Sequence, residues 1–430
     1  MVKRTGASER TGATGPGEGA PRGTPARADR GRADADRGFR SHAGDFARRM
    51  RSGEFGAVPG VAAVALLWII FQSLDQQFLS PRNLSNLSID IVGTGMIALG
   101  LVFVLLLGDV DLSVGSVSGL TAAVFAVLNV NQGMPEWAAV LAALVVGAAV
   151  GAAQGFFSAR LGVPAFVVTL AGLLAWNGLM LYVLGASGTI NLPEAGFVHA
   201  LTSYYFRETA VAYGLAALSV AMFFLASYRD SRRRRSVGVM YRPLGVVVVR
   251  TAAVAVVAFA AAYMLNRFQG LPLALLIFLV FVVGLDFVLR RTFYGRKIVA
   301  IGGGREAARR AGINVVWLRI SAFMVSGTLA AVGGLFLASR VAAVGQTSGS
   351  SILLINAIAA AVIGGVSLFG GRGTTWSVLL GMLVIQSIAS GMVLLGIPTP
   401  MQSVITGCVL LAAVVLDSLA RHSQKAHGRA

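Results

Sequence analysis

From Ala57 onward, apolar runs about as long as a bilayer span alternate with short polar connections. A transmembrane helix needs about 20 mostly apolar residues. Runs of about that length fall at 57–74, 88–107, 114–131, 137–158, 164–185, 210–228, 249–265, 271–289, 320–340, 352–369, 375–395 and 400–417. The runs lack the period-two alternation of a membrane barrel. Gly, Ala and Ser recur in them at close spacing, which lets helices approach one another in lipid. The pattern predicts an all-α, polytopic membrane helix bundle of about 12 transmembrane helices over 56–420. Residues 1–55 have no such periodicity and carry twelve basic and seven acidic side chains. They are expected to be a disordered basic tail, because they cannot bury enough apolar surface to offset ordering. Residues 421–430 are expected to be a second short tail.

Composition agrees. Of 430 residues 56% are hydrophobic and 13% charged, against about 25% charged in an ordinary soluble domain. This excludes a soluble enzyme, a disordered protein and a disulfide scaffold. The net charge of +18 has a sidedness. With alternating crossings and an inward N-terminus, 32 of the 36 basic residues face one side, and only Arg82, Arg207, Arg267 and Arg340 the other. The positive-inside rule then places both termini in the cytoplasm of a multi-pass cell-membrane protein. The run Arg232–Arg235 follows from that topology, and nucleic acid is not an expected partner. Cys408 is the single cysteine, and the four histidines have no metal-ligand spacing; no metal is expected.

Two nucleotide motifs are tested and set aside. Lys297–Ile301 followed by Gly302-Gly303-Gly304-Arg305-Glu306-Ala307 mimics a strand and a G-x-G-x-x-A turn. No acidic residue follows about 20 positions on to hold a ribose. None of the three lysines lies in a G-K-[ST] context, so the chain has no phosphate loop for ATP hydrolysis. The connection 290–319 does carry an instructive segment. Glu306 to Ile313 is rich in helix formers and ends in Gly312, suited to a C-cap. A short charged helix outside the lipid is either a handle for another protein or a linker on the membrane surface.

Four ordered blocks, Asp111–Ser116, Val163–Leu170, Gly295–Val315 and Ile363–Gly373, resemble the permeases of ribose/xylose-type ABC sugar importers, closest to the xylose-type branch. Glu306-Ala307-Ala308, three residues and Gly312 are similar to the E-A-A-x-x-x-G docking loop, within a longer match from Gly295 to Val315. Asp111-Leu112-Ser113-Val114-Gly115-Ser116 matches D-L-S-V-G-S. Val163-Pro164-Ala165-Phe166 opens a V-P-x-F-I-V-T-L block. Ile363-Gly364-Gly365 through Arg372-Gly373 matches I-G-G-x-S-L-F-G-G-R-G. The resemblance implies a ten-helix core plus two extra spans near 210–228 and 249–265. It also implies a permease homodimer, a separate ATPase subunit that binds the ATP, and an external sugar-binding protein; no cofactor of its own is implied. The cargo would be a monosaccharide, xylose or a related pentose or hexose. A nucleoside or autoinducer carrier of the same family is the alternative, and an ion-coupled secondary transporter a more distant one. Arg305, Glu306, Ala307, Ala308, Gly312 and Ile313 would contact the ATPase. Two positions depart from the family pattern. Asp109 stands where glycine is usual, and Gly304-Arg305 replaces an Asn and acidic pair.

Asp111 with Ser113 reads as an N-cap for the next span. Gly115, Pro164, Gly364, Gly365 and Arg372 are expected to serve turns and close packing. Translocation-path candidates are Trp176, Asn177, Gln346, Asn356 and Gln386, whose uncharged groups suit a neutral sugar, and Asp90, which on the outer side either lines the entry or serves a helix start. Intramembrane amides also commonly bond neighbouring helices. Gly108–Leu112 weakly echoes Gly364–Leu368.

Overall fold

The computed structural model describes residues 58–426 apart from 239, 240 and 242. The expected N-terminal tail and residues 427–430 lie outside the described residues. The chain forms α1 (Val58–Leu74), α2 (Pro81–Leu106), α3 (Val114–Ala126, continued by a π-turn at Val127–Asn131), α4 (Glu136–Arg160) and α5 (Ala165–Leu184). After strand β1 (Thr189–Asn191), helix α6 (Phe197–Ser203) and strand β2 (Tyr205–Phe206), α7 (Thr209–Ser236) and α8 (Leu244–Asn266) form a hairpin. Next come β3 (Leu271–Pro272), α9 (Leu273–Arg291), α10 (Phe293–Gly303), α11 (Arg305–Arg310) and α12 (Val315–Val341). The chain finishes with β4 (Ala343–Gly345), α13 (Ser351–Ile363), α14 (Thr375–Leu394) and α15 (Thr399–Ala426).

The all-α membrane bundle is therefore observed. Among the described residues, nine helices are long and apolar enough to cross a membrane: α2, α3 with its π-turn, α4, α5, α7, α8, α9, α12 and α14. The other three expected spans coincide with shorter apolar stretches, Gly60–Leu74, Ser351–Ile363 and Thr399–Ala412. The four strands make two short antiparallel ladders, β1 with β4 and β2 with β3.

Local chemistry sets the boundaries. Ser80 accepts from Asn83 N–H and Pro81 occupies the first turn, so α2 begins seven residues before its apolar run. Thr292, Asn314 and Thr374 cap α10, α12 and α14 in the same way. Three segments go beyond what the apolar runs define. The helix α7 runs on through Arg232–Arg235 to Ser236, because arginine is a good helix former and the Asp230–Arg234 pair at 3.0 Å supports the last turns. The helix α15 continues to Ala426, into the segment expected to be a tail. Lys297–Ile301 is helical, in keeping with the dinucleotide motif set aside above.

The core is α12. Gly147, Gly151 and Gly155 of α4, four residues apart, face its Gly327, Phe323 and Ile320, running antiparallel. A Cβ on Gly151 would collide with the Phe323 carbonyl, and one on Gly327 with the Gly147 carbonyl. On its other side Gly333 meets Gly93 of α2, and Gly334 meets Ser118 of α3. The α7–α8 hairpin has its own small cluster of Ala212, Ala216, Ala262, Leu265 and Leu271, as befits an addition to a self-sufficient core.

The loops sort into two ends. Gly371 N–H bonds the Leu106 carbonyl, and Arg319 bonds Ser158, so the α2–α3, α4–α5, α10–α12 and α13–α14 connections meet at one end. At the other, Glu136 takes the N–H groups of Phe197 and Val198 at 2.6 Å each, and β1 pairs with β4. This is the alternation that the charge pattern requires.

Gly151→Leu should lower stability by roughly 1–3 kcal/mol or more, since the clash is with backbone that cannot rotate away. Gly178→Ala, at a helical position with open space beside it, should be neutral or gain about 0.5–1 kcal/mol. Thermal unfolding of both variants in detergent checks this; equal midpoints would reject glycine packing as the core determinant.

Candidate functional site

Two regions carry the chemistry. The first is the unwound segment 107–113 between α2 and α3. Backbone without helical bonds inside a membrane protein must find partners in the protein, and it does. The Leu106 carbonyl accepts from Gly371 N–H at 2.9 Å, and Thr169 Oγ1 of α5 bonds the Val110 carbonyl at 3.4 Å. Asp109, 6% exposed, receives Arg319 through Nε at 2.8 Å and Nη2 at 3.1 Å, and Arg305 through Nη2 at 2.6 Å. The Arg319 guanidinium also bonds the Ser158 carbonyl at 3.0 Å and its Oγ at 2.7 Å. Such a planar fork suits one cation to a carboxylate and a carbonyl at once.

Asp111 is buried one step further in. Its Oδ1 accepts Ser113 N–H at 3.0 Å and Ser113 Oγ at 2.7 Å, and its Oδ2 accepts Ser326 Oγ of α12 at 3.1 Å. The capping expectation is corrected in part. Ser113 is the N-cap residue of α3 and makes no side-chain bond into the helix. Asp111 instead joins the segment to α12, while Ser113 is linked to Gln154 of α4 at 2.8 Å. Gly115 sits against Ser350 and Leu354 at the start of α13.

The second region is the connection from α10 to α12. The six-residue helix α11 starts at Arg305 and includes Glu306, Ala307 and Ala308; of its side chains only Ala308 is buried. Gly312 has φ of +78°. Its N–H bonds the Arg309 carbonyl and that of Ile313 bonds the Ala308 carbonyl, the paired closure of a Schellman motif. The C-cap expectation for Gly312 thus corresponds to the observed turn. Helix α10 is fastened to α12 by Tyr294 Oη and Ser321 Oγ at 3.0 Å, and burial holds the Tyr294 phenol above its ordinary range.

The sugar-path candidates are scattered. Asp90 is engaged by Arg340 at 2.8 Å, with Asn86 taking the same guanidinium at 3.3 Å. Gln346 is exposed at the far end beside Gly188. Asn177 and Gln386 are half-buried on α5 and α14. Trp176 Nε1 and Asn356 Oδ1 are buried and make no hydrogen bond among the described residues. Trp176 Nε1 and Gln154 Nε2 both lie beside Gly172, which brings α5 to the Ser113 network. Pro164 is the N-cap residue of α5, Gly364 packs on Ser377, and Gly365 and Arg372 belong to the α13–α14 turn. The echo between Gly108–Leu112 and Gly364–Leu368 resolves as two similar helix ends, offset by one: Gly108 corresponds in hydrogen bonding to Gly365. Sequence reasoning missed Gln154, Ser158, Arg319 and Ser326; an amide amid Gly and Ala on α4 was the available signal. Among the described residues no cluster of His, Cys, Asp or Glu could hold a metal.

Asp111→Asn should fold nearly as well as the native chain, because an amide keeps the acceptor for Ser113 and Ser326 can reverse its hydroxyl. Asp111→Leu should cost about 1–3 kcal/mol by leaving Ser113 and Ser326 short of partners. Unfolding midpoints in detergent distinguish them; equal losses would mean the charge itself is required.

The chain resembles known proteins across most of its length. Residues 83–414 match the family described as branched-chain amino acid transport system / permease component. A xylose transport system permease protein of Escherichia coli K12 is 36% identical over 359 residues, 83% of this chain and 90% of that protein. An L-arabinose ABC transporter permease protein of Azospirillum brasilense is 28% identical, covering 88% and 93%. An autoinducer 2 import system permease protein of Salmonella typhi is 30% identical, covering 84% of each. No solved structure matches the chain.

Proposed function

The chain belongs to the branched-chain amino acid transport system / permease component family, and from that premise we propose that it carries xylose or a closely related monosaccharide across the cell membrane. It is the membrane-spanning permease subunit of an ABC importer and works with a separate ATPase subunit and an external sugar-binding protein. We place both termini and the α10–α12 connection in the cytoplasm, on the charge distribution. Twelve crossings, nine long and three short, and a homodimer complete the reading.

The observation that carries it is α11. A short helix with Glu306, Arg309 and Arg310 at its surface projects from the basic end of the bundle, closed at both sides by glycine. In this reading Arg305, Glu306, Ala307, Ala308, Gly312 and Ile313 dock into the ATPase. ATP binding there shifts the permease between outward- and inward-facing populations. The ATP is bound by the partner, and this chain supplies no cofactor.

The path chemistry supports a neutral cargo. Trp176 offers an aromatic face and an indole N–H, and Asn356 an amide oxygen, both without charge and without a hydrogen bond among the described residues. Hydroxyl groups of a sugar meet such donors and acceptors. Asn177, Gln346 and Gln386 extend the same chemistry, while Asp90, bound to Arg340, acts as part of the wall. A related permease for another small polar solute is the second reading, favoured by the arabinose and autoinducer relatives.

The test is reconstitution of the permease with its ATPase and binding protein in vesicles. ATP-driven uptake should be strongest for xylose among pentoses, hexoses and autoinducer-like polyols; uptake of another of these alone would select the second reading. Gly312→Val, which strains a +78° φ by roughly 1–2 kcal/mol, should cut uptake at least severalfold with membrane insertion preserved. Full uptake by that variant would reject α11 as the docking element.

A further inference from the structure

Asp109 of the unwound segment and Arg305 at the start of α11 are in contact. They are 196 residues apart in sequence and joined by a 2.6 Å hydrogen-bonded ion pair. We propose that this pair is a tether that carries movement of the docking helix α11 to the unwound segment 107–113. Both would be positioning residues for transport, and the sugar moved per ATP hydrolysed would depend on them. The proposal rests on the reading of α11 as the ATPase contact.

The geometry singles the pair out. Helix α11 is attached weakly by packing, since Ala308 is its only buried side chain. A methyl group can be pushed against a neighbour but cannot be pulled. Arg305 supplies what packing lacks. From the first position of α11 it reaches over to the Leu107 carbonyl at 3.4 Å and the Asp109 carboxylate at 2.6 Å. A charge-assisted bond of this kind holds in both directions.

The anchor at the far end is firm. Asp109 is 6% exposed and Arg319 11%, and Arg319 alone already matches the carboxylate's charge through two bonds. Arg305, at 44% exposed, is a second cation that neutralisation does not require. Its contact is therefore not explained by burial of Asp109. What it adds is a connection between the thinly packed surface helix and a buried acid.

The segment so tethered is placed to pass motion on. It is bound to α5 through Val110 and Thr169, and to α12 through Asp111 and Ser326. It leads directly into α3. Beside the tether, the backbones of Leu106, Gly302 and Gly371 touch with no side chain between them, and a Cβ on Gly302 would overlap both neighbours. The end of α10, the end of α2 and the α13–α14 turn are thus one junction, and Arg305 stands at its edge.

The experiment measures sugar uptake and phosphate release together, in vesicles holding permease, ATPase and binding protein. Arg305→Ala should lower uptake per ATP about fivefold, the effect of losing one partly exposed charged contact. Asp109→Asn should do the same while the ATPase still copurifies with it. The double variant should be no worse than either single one, because both remove the same link. Arg305→Lys should recover at least half of the ratio. Arg305 is exposed enough that its variants report even if Asp109→Asn, which leaves Arg319 short of its partner, fails to fold. Losses that multiply in the double variant, an unchanged ratio, or no recovery with lysine would overturn the tether. Loss of the ATPase from the Asp109→Asn complex would overturn it too, by making the pair a docking determinant. If the unaltered proteins show no ATP-driven uptake of any tested solute, the importer reading fails instead.

Discussion

Helix α12 stands at the centre of the bundle because backbone meets backbone along it. In lipid no hydrophobic force draws apolar helices together, so association depends on close van der Waals contact and on polar groups that find one another. Glycines at 147, 151, 155, 327, 333 and 334 supply the first. The second follows from it. Only because α2, α3 and α4 lie so near can short side chains bridge them, as Ser326 bridges to Asp111 and Ser113 to Gln154. Ion pairs then pin α12 at both ends, Arg319 to Asp109 and Arg340 to Asp90. Replace the glycines and the polar bridges fall out of reach.

What could be read from the sequence follows from what lipid demands locally. An apolar run must match the bilayer, so spans announce themselves by length, and the positive-inside bias fixes which loops share an end. Helix ends beyond the membrane carry no such demand. That is why α7 and α15 outrun their apolar stretches, and why Ser80-Pro81 starts α2 earlier than hydropathy suggests. The turn at Gly312 was legible because the Schellman closure is a local event. The link between Asp109 and Arg305 was not, although each residue stood out alone. Nothing in periodicity or spacing pairs positions on opposite sides of six intervening spans. Gln154 and Ser326 were hidden for a similar reason: in a run of small residues, a polar one looks like surface until the facing helix is known. Asp111 looked like a cap because Ser113 follows it, but burial beside α12 gave its second oxygen a different partner.

The arrangement of charge bears on where the energy for transport enters. A carrier driven by protons or sodium places an ionisable group where it can gain and lose its partner along the path. Here Asp90, Asp109 and Asp286 are each held by arginine, within 2.8 Å or less. Asp111 is surrounded by hydroxyl and amide donors that belong to the bundle wall. The two sugar-path candidates that lack a hydrogen bond among the described residues, Trp176 Nε1 and Asn356 Oδ1, are neutral. In the reading proposed above, the driving force comes from a separate ATPase and is received at the α10–α12 connection. That α11 is thinly packed and yet tied by Arg305 to the base of α3 is then a coherent design. The receiving helix buries only Ala308, the central helix is packed backbone to backbone, and the unwound segment lies between them.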